Sequence, residues 1–131
     1  MDIERELTSD EIEFLHSRCH LLAIALHKMT GLPLHATLDV DEWTERTVLV
    51  HAYVKDGDDG VDIRGRFSVE TIEDDFPVNQ PFETEISEVD LMHLGSGKRI
   101  AINENGKFYK KALSYADNIV GELGLASPKP R

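Results

Sequence analysis

The chain has 131 residues, a formal net charge of −11, 40% apolar residues and 30% charged residues, a makeup that fits one globular domain. Its single cysteine excludes an internal disulfide and a multi-thiolate zinc site. The acidic balance disfavours nucleic-acid backbones and anionic membrane surfaces. The longest apolar run, Leu21–Leu26, is far shorter than the roughly 20 residues that span a bilayer.

The N-terminus, MDIERELTSDE, lacks the basic-then-apolar order of a signal peptide, so a cytoplasmic protein is expected. Residues 1–126 read as one domain and 127–131 as a flexible tail. Thr8-Ser9-Asp10-Glu11 has capping-box spacing and predicts a first helix with Ile12, Phe14 and Leu15 on its apolar side. Cys19–Met29 predicts a second helix, apolar nearly all round and therefore buried. Gly31 ends it, and Pro33 prevents a restart. The break between the two helices falls near His16–Cys19.

Thr47–Val54, TVLVHAYV, reads as a strand. Simple alternation puts Val48, Val50, Ala52 and Val54 on one face, and Leu49, His51 and Tyr53 on the other. Asp56–Gly60 is a turn by composition, and Val61–Ile63 resumes a strand, so Tyr53 and Val61 flank a hairpin. Arg64–Arg66 leaves the hairpin, and Ser68–Ile72 reads as a short helical turn. Residues 67–97 carry eight acidic groups, Glu70, Glu73, Asp74, Asp75, Glu83, Glu85, Glu88 and Asp90, with no Lys or Arg. Pro77 and Pro81 make much of that stretch loop-like. Lys98–Asn103 reads as a strand, Glu104–Gly106 as a turn and Phe108–Leu123 as a terminal helix. In that helix Leu113, Ala116, Ile119, Val120 and Leu123 recur at helical spacing. The expected fold class is α+β: N-terminal helices, the second central and bearing Cys19, on a small antiparallel sheet covered by a C-terminal helix.

Three residues form a candidate catalytic set: Cys19 at the start of the buried helix, His51 in mid-strand, and Asp62 in the next strand. A thiol at a helix N-terminus meets the positive end of the dipole and unpaired amides, which favour thiolate. An imidazole beside it can accept the thiol proton and return it to a leaving group. A carboxylate on the far ring nitrogen fixes the imidazole's tautomer and orientation. Taken singly, each residue has a plainer role: a small buried hydrophobe, a structural histidine, a turn aspartate.

The run CHLLAIALHKMTGLPL followed by VLVHAYVKDGDDGVDIRGRFS resembles the small bacterial papain-like and transglutaminase-like cysteine domains. These carry Cys on a central helix, His on a following strand and Asp on the next strand. Asp62-Ile63-Arg64-Gly65 also resembles their Asp-x-Arg-Gly ending. The resemblance spans residues 15–70. It implies a papain-like fold and a thiol enzyme in which Cys19 is the nucleophile, His51 the general base and acid, and Asp62 the orienting carboxylate. The backbone amide of Cys19 would help hold the oxyanion. The implied reaction is acyl transfer from a peptide or protein amide by a peptidase, amidase, deamidase or transglutaminase-like enzyme, with no cofactor and no metal. The alternative is a non-catalytic acidic binding module of inhibitor or immunity type, or a pseudoenzyme, that presents residues 67–97 to a basic partner.

Other signals are weaker. His16, His20 and His27 lie on one side of a continuous helix and read as a solvated row rather than metal ligands. Gly95-Ser96-Gly97-Lys98 fails as a phosphate loop, because Met92 and Arg99 stand where Gly and Ser or Thr are needed. Trp43 is expected at the edge of the core. Lys107, Lys110 and Lys111 read as a solvated face.

Overall fold

The structure, a computed structural model, describes residues 7–15, 18–69, 80–96 and 107–125. The order along the chain is α1 (Ser9–Leu15), α2 (Cys19–Thr30), β1 (Leu34–Val40), β2 (Thr47–Asp56), β3 (Asp59–Asp62), β4 (Gly65–Ser68), β5 (Phe82–Glu85), α3 (Glu88–Ser96) and α4 (Lys107–Leu123). The five strands form one sheet in the order β4-β3-β2-β1-β5, with every described pairing antiparallel. The fold is α+β, as the sequence pattern implies.

The capping box at the start of α1 forms: Glu11 N donates to Thr8 Oγ1 at 3.2 Å and Thr8 N to Glu11 Oε1 at 2.8 Å, satisfying two amides that the helix leaves open. Phe14 is buried, whereas Ile12, expected beside it, is exposed. Two positions apart lie 200° apart around a helix, so both cannot face one core. Gly31 ends α2 at φ 74°, a left-handed conformation that costs glycine little, and its N–H bonds His27 O at 2.8 Å. His27 Nδ1–H donates to Leu32 O at 2.7 Å and ties the exit loop down.

Three hairpins build β1 to β4. Asp41 and Arg46 close the first, with Asp41 N bonding Arg46 O at 2.9 Å. Trp43 projects from this turn and is 89% exposed, which corrects its expected place in the core: the turn backbone bends around Asp41, whose Oδ1 takes the Trp43 N–H at 2.8 Å, and no element among the described residues covers the indole. The second hairpin pairs Val54 with Val61 and Asp56 with Asp59, so the expected turn narrows to Gly57 and Asp58. The third turns at Ile63 and Arg64, pairing Asp62 with Gly65. Residues 65–68 are therefore a strand rather than a departing loop, and Ser68 belongs to it rather than to a helical turn.

Two further elements went unpredicted: β1, and the β5–α3 unit inside the stretch read as loop-like. Residues 70–72 and the expected strand and turn at 98–106 lie outside the described residues, as do residues 126–131. Helix α4 packs along α2 through Tyr109, Ala112, Ala116 and Ile119, with Leu113, Val120 and Leu123 half-buried at its flanks. Among the described residues, no helix is long and apolar enough to cross a membrane.

A β-bulge interrupts the alternation of β2. Thr37 pairs with His51, but its neighbour Leu38 pairs with Leu49, which leaves Val50 as the extra residue. Leu49 consequently packs with the cluster that holds Ala52 and Val54, while Val50 joins Tyr53 and Phe67. Both assignments reverse those of simple alternation.

Candidate functional site

Each member of the predicted set is placed by a different element. Cys19 is the first residue of α2, behind Arg18. Arg18 makes no side-chain cap to the helix and instead sets its guanidinium carbon 3.5 Å from the centre of the Phe108 ring. His51 follows the bulge in β2, and Asp62 ends β3 just before the turn. The structure brings all three together. His51 Nε2–H donates to Asp62 Oδ2 at 2.7 Å, and Cys19 interacts with the same imidazole.

The electrostatics follow from this packing. Burial alone would lower the proton affinity of His51, but the hydrogen bond to Asp62, helped by the nearby Cys19 sulfur, outweighs it, and the His51 pKa is raised to about 9. Burial likewise works to raise Asp62, yet the hydrogen bond and charge of His51, then those of Arg64, hold its carboxyl below the usual range. His51 is thus held as an imidazolium against the Asp62 carboxylate.

The aspartate is gripped from a second side. Arg64 Nη2 donates to Asp62 Oδ2 at 2.8 Å, and Arg64 Nε lies 3.1 Å from Oδ2 and 3.3 Å from Oδ1. The Arg64 backbone N–H adds a bond to Oδ1 at 2.8 Å. Sequence reasoning noted Arg64 only as part of a motif. The usable signal was the Asp-x-Arg spacing next to a glycine, which a two-residue hairpin turn converts into a chelate.

An aromatic floor carries the imidazole. The Tyr53 ring centre lies 5.9 Å from that of His51, and the Phe67 ring meets it edge-on at 6.1 Å. Tyr53 OH donates to Glu83 Oε2 at 2.9 Å and lies 3.0 Å from Thr37 Oγ1. Burial first, with Glu83 assisting, pushes the Tyr53 hydroxyl well above its ordinary pKa. None of these supporting residues carries a sequence motif, and pairing across all five strands is what brings them together.

The three predicted residues are enclosed: His51 is 0%, Cys19 2% and Asp62 2% exposed. A pocket among the described residues lies elsewhere, between β5 and α3. Its volume is about 570 Å³, and Leu38, Thr84, Ile86 and His93 are among its lining residues.

The remaining expectations divide. His20 is buried, not solvated; burial first, then the charge of Arg18, lowers its pKa to about 4. His16 lies outside the described residues, and no metal-holding cluster of His, Cys, Asp or Glu occurs among the described ones. Within the acidic stretch, Glu83 is compensated by Lys55 at 3.6 Å and lies 3.4 Å from His35 Nδ1, and Glu88 is compensated by Lys28 at 3.8 Å. The stretch is acidic in sequence, but its described part is not uniformly free of partners. Glu70, Glu73, Asp74 and Asp75 lie outside the described residues.

Comparison with protein-family models, with curated proteins and with solved structures found no match.

Proposed function

We propose that this chain is a papain-like thiol enzyme that acts on amide bonds by acyl transfer. In this reading Cys19 attacks the carbonyl carbon as thiolate. His51 then donates its proton to the departing amine, and water or an amine acceptor clears the acyl-enzyme with His51 as base. Asp62 keeps Nε2 protonated and leaves Nδ1 to serve the thiol. The first amides of α2, uncapped by Arg18, can hold the oxyanion. The observation that carries the reading is the His51–Asp62 bond of 2.7 Å, with Cys19 near enough to the same ring to raise its proton affinity. Together they supply a nucleophile, a base and an orienter in one cluster.

The reading requires the enclosed thiol to become accessible in the native state. Iodoacetamide labelling at pH 6–7 without denaturant, followed by mass spectrometry, tests this. Labelling faster than global unfolding permits is the expected result. Labelling only in denaturant overturns the reading.

The enclosure of the trio favours a second reading, a non-catalytic acidic module for a basic protein partner. There Cys19, His51 and Asp62 act as a buried polar clasp, and the same labelling experiment separates the two.

A further inference from the structure

We propose that Arg64 is a positioning residue that offsets the Asp62 charge, so that a Cys19 thiolate and a His51 imidazolium can coexist in the enclosed site without an uncompensated carboxylate behind the imidazole. The inference rests on the thiol-enzyme reading and adds to it a residue that touches neither substrate nor sulfur.

Enclosure makes net charge decisive, because an uncompensated ion away from water is expensive. Among the described residues, the charged and titratable groups that face the imidazole include Cys19 from α2, Asp62 from β3 and Tyr53 on its own strand, whose hydroxyl reaches Glu83 on β5. Asp62 in turn faces Arg64. With Arg64 present, thiolate, imidazolium, carboxylate and guanidinium sum to zero. Passing the proton from His51 to the thiol leaves the sum unchanged, so proton exchange within the pair creates no new buried charge. Without the guanidinium, the ion-pair state holds two anions against one cation. Proton uptake by the thiolate then restores neutrality, and the nucleophile is lost.

The geometry suits this role better than a simple surface pairing. Side chain and backbone of Arg64 together place four contacts on the two carboxylate oxygens, at 2.8–3.3 Å. The side chain is 8% exposed, so water screens the pair little. Its guanidinium carbon also lies 4.7 Å from the centre of the Phe67 ring, the ring that meets His51 edge-on. A fixed cation therefore sits one carboxylate away from the imidazole.

The test compares wild type, Arg64→Gln and Arg64→Lys by iodoacetamide labelling of Cys19 from pH 5 to 9, with folding checked by melting and His51 protonation followed by imidazole NMR. Loss of a cation at this range should move the labelling profile of Arg64→Gln up by about one pH unit, roughly a tenfold loss of rate at pH 6. His51 should stay protonated there. Arg64→Lys, which keeps the charge and loses the fork, should retain the wild-type profile within a few tenths of a unit even if it melts earlier. An unshifted profile for Arg64→Gln overturns the inference. So does a folded Arg64→Lys that shifts as far as Arg64→Gln, since geometry rather than charge would then be at work. Should Arg64→Gln fail to fold, Arg64→Met serves as the neutral variant, and an unshifted profile there overturns the inference. A wild type unreactive without denaturant overturns the thiol-enzyme reading, and this inference with it.

Discussion

Gly60 lies directly beneath the Phe67 ring: a Cβ built at Gly60 would fall 2.5 Å from Phe67 Cζ and 2.6 Å from Cε1. The two residues are cross-strand partners in β3 and β4, and Phe67 is buried against Tyr53 with the ring centres 5.5 Å apart. The ring has no room to retreat without disturbing His51. Gly60→Ala should therefore destabilise the fold by about 1–3 kcal/mol, the usual cost of overpacking. Gly57→Asn is the control, because Gly57 has φ 67° with nothing within 4 Å of its Cβ position and Asn tolerates that conformation. Urea unfolding midpoints of the two variants check the contrast.

His51→Ala should cost more than the loss of an accessible active-site imidazole. The ring is fully enclosed and holds Asp62. Removing one partner of a buried pair costs on the order of 3–5 kcal/mol. A large drop in melting temperature is expected, so loss of Cys19 labelling in this variant must be read only where it is still folded. Asp62→Asn is the cleaner probe. It keeps the shape and removes the carboxylate, so the NMR titration of His51 should fall well below about 9. A titration that stays near that value would remove Asp62 as the source of the shift.

Stability should peak near pH 6.5. His51 has its folded pKa raised to about 9 from 6.5, so its contribution is complete below 6.5 and is lost as pH rises through 9. His20 has its folded pKa lowered to about 4 from 6.5. The unfolded chain then takes up a proton that the folded chain refuses, and stability falls as pH drops from 6.5 toward 4. Each limb amounts to something on the order of 3 kcal/mol. Unfolding free energies measured from pH 4 to 9 check the dome. His20→Gln should flatten the acid limb alone.

Tyr53→Phe should cost about 1–2 kcal/mol. The hydroxyl bridges Thr37 on β1 to Glu83 on β5 across the sheet. Its loss leaves two polar groups short of a partner. Equal stability of the variant and wild type, by thermal melting, would show that water replaces the bridge at no cost.

The elements predicted from sequence are those with strong local signals. The Thr8–Glu11 box, the Gly31 stop and the β-branched run at 47–54 each act within a few residues. β1 was missed because His35, Thr37 and Asp39 sit among its apolar residues, although Thr37 and Asp39 prove buried through cross-strand pairing. The β5–α3 unit was missed because Pro81 and a row of carboxylates hid a four-residue edge strand. Within the site, the order of Cys19, His51 and Asp62 could be read from the chain. Their enclosure could not, nor could Arg64's grip on Asp62, since both depend on how the hairpins stack. Trp43 was misplaced because its size suggests the core while its turn allows no inward path.

The bulge at Val50 also makes β2 unequally tolerant of changes in length. Because Leu38 pairs with Leu49 and Thr37 with His51, deleting Val50 would leave a continuous ladder with every other side chain on its present face. Deleting Ala52 would instead turn one half of the strand over, taking His51 away from Asp62 or Val54 away from the core. Chains shortened by one residue at these two points should therefore melt very differently, with the first remaining folded and the second not. Length variation within β2 thus has a natural point of entry one residue before the candidate base.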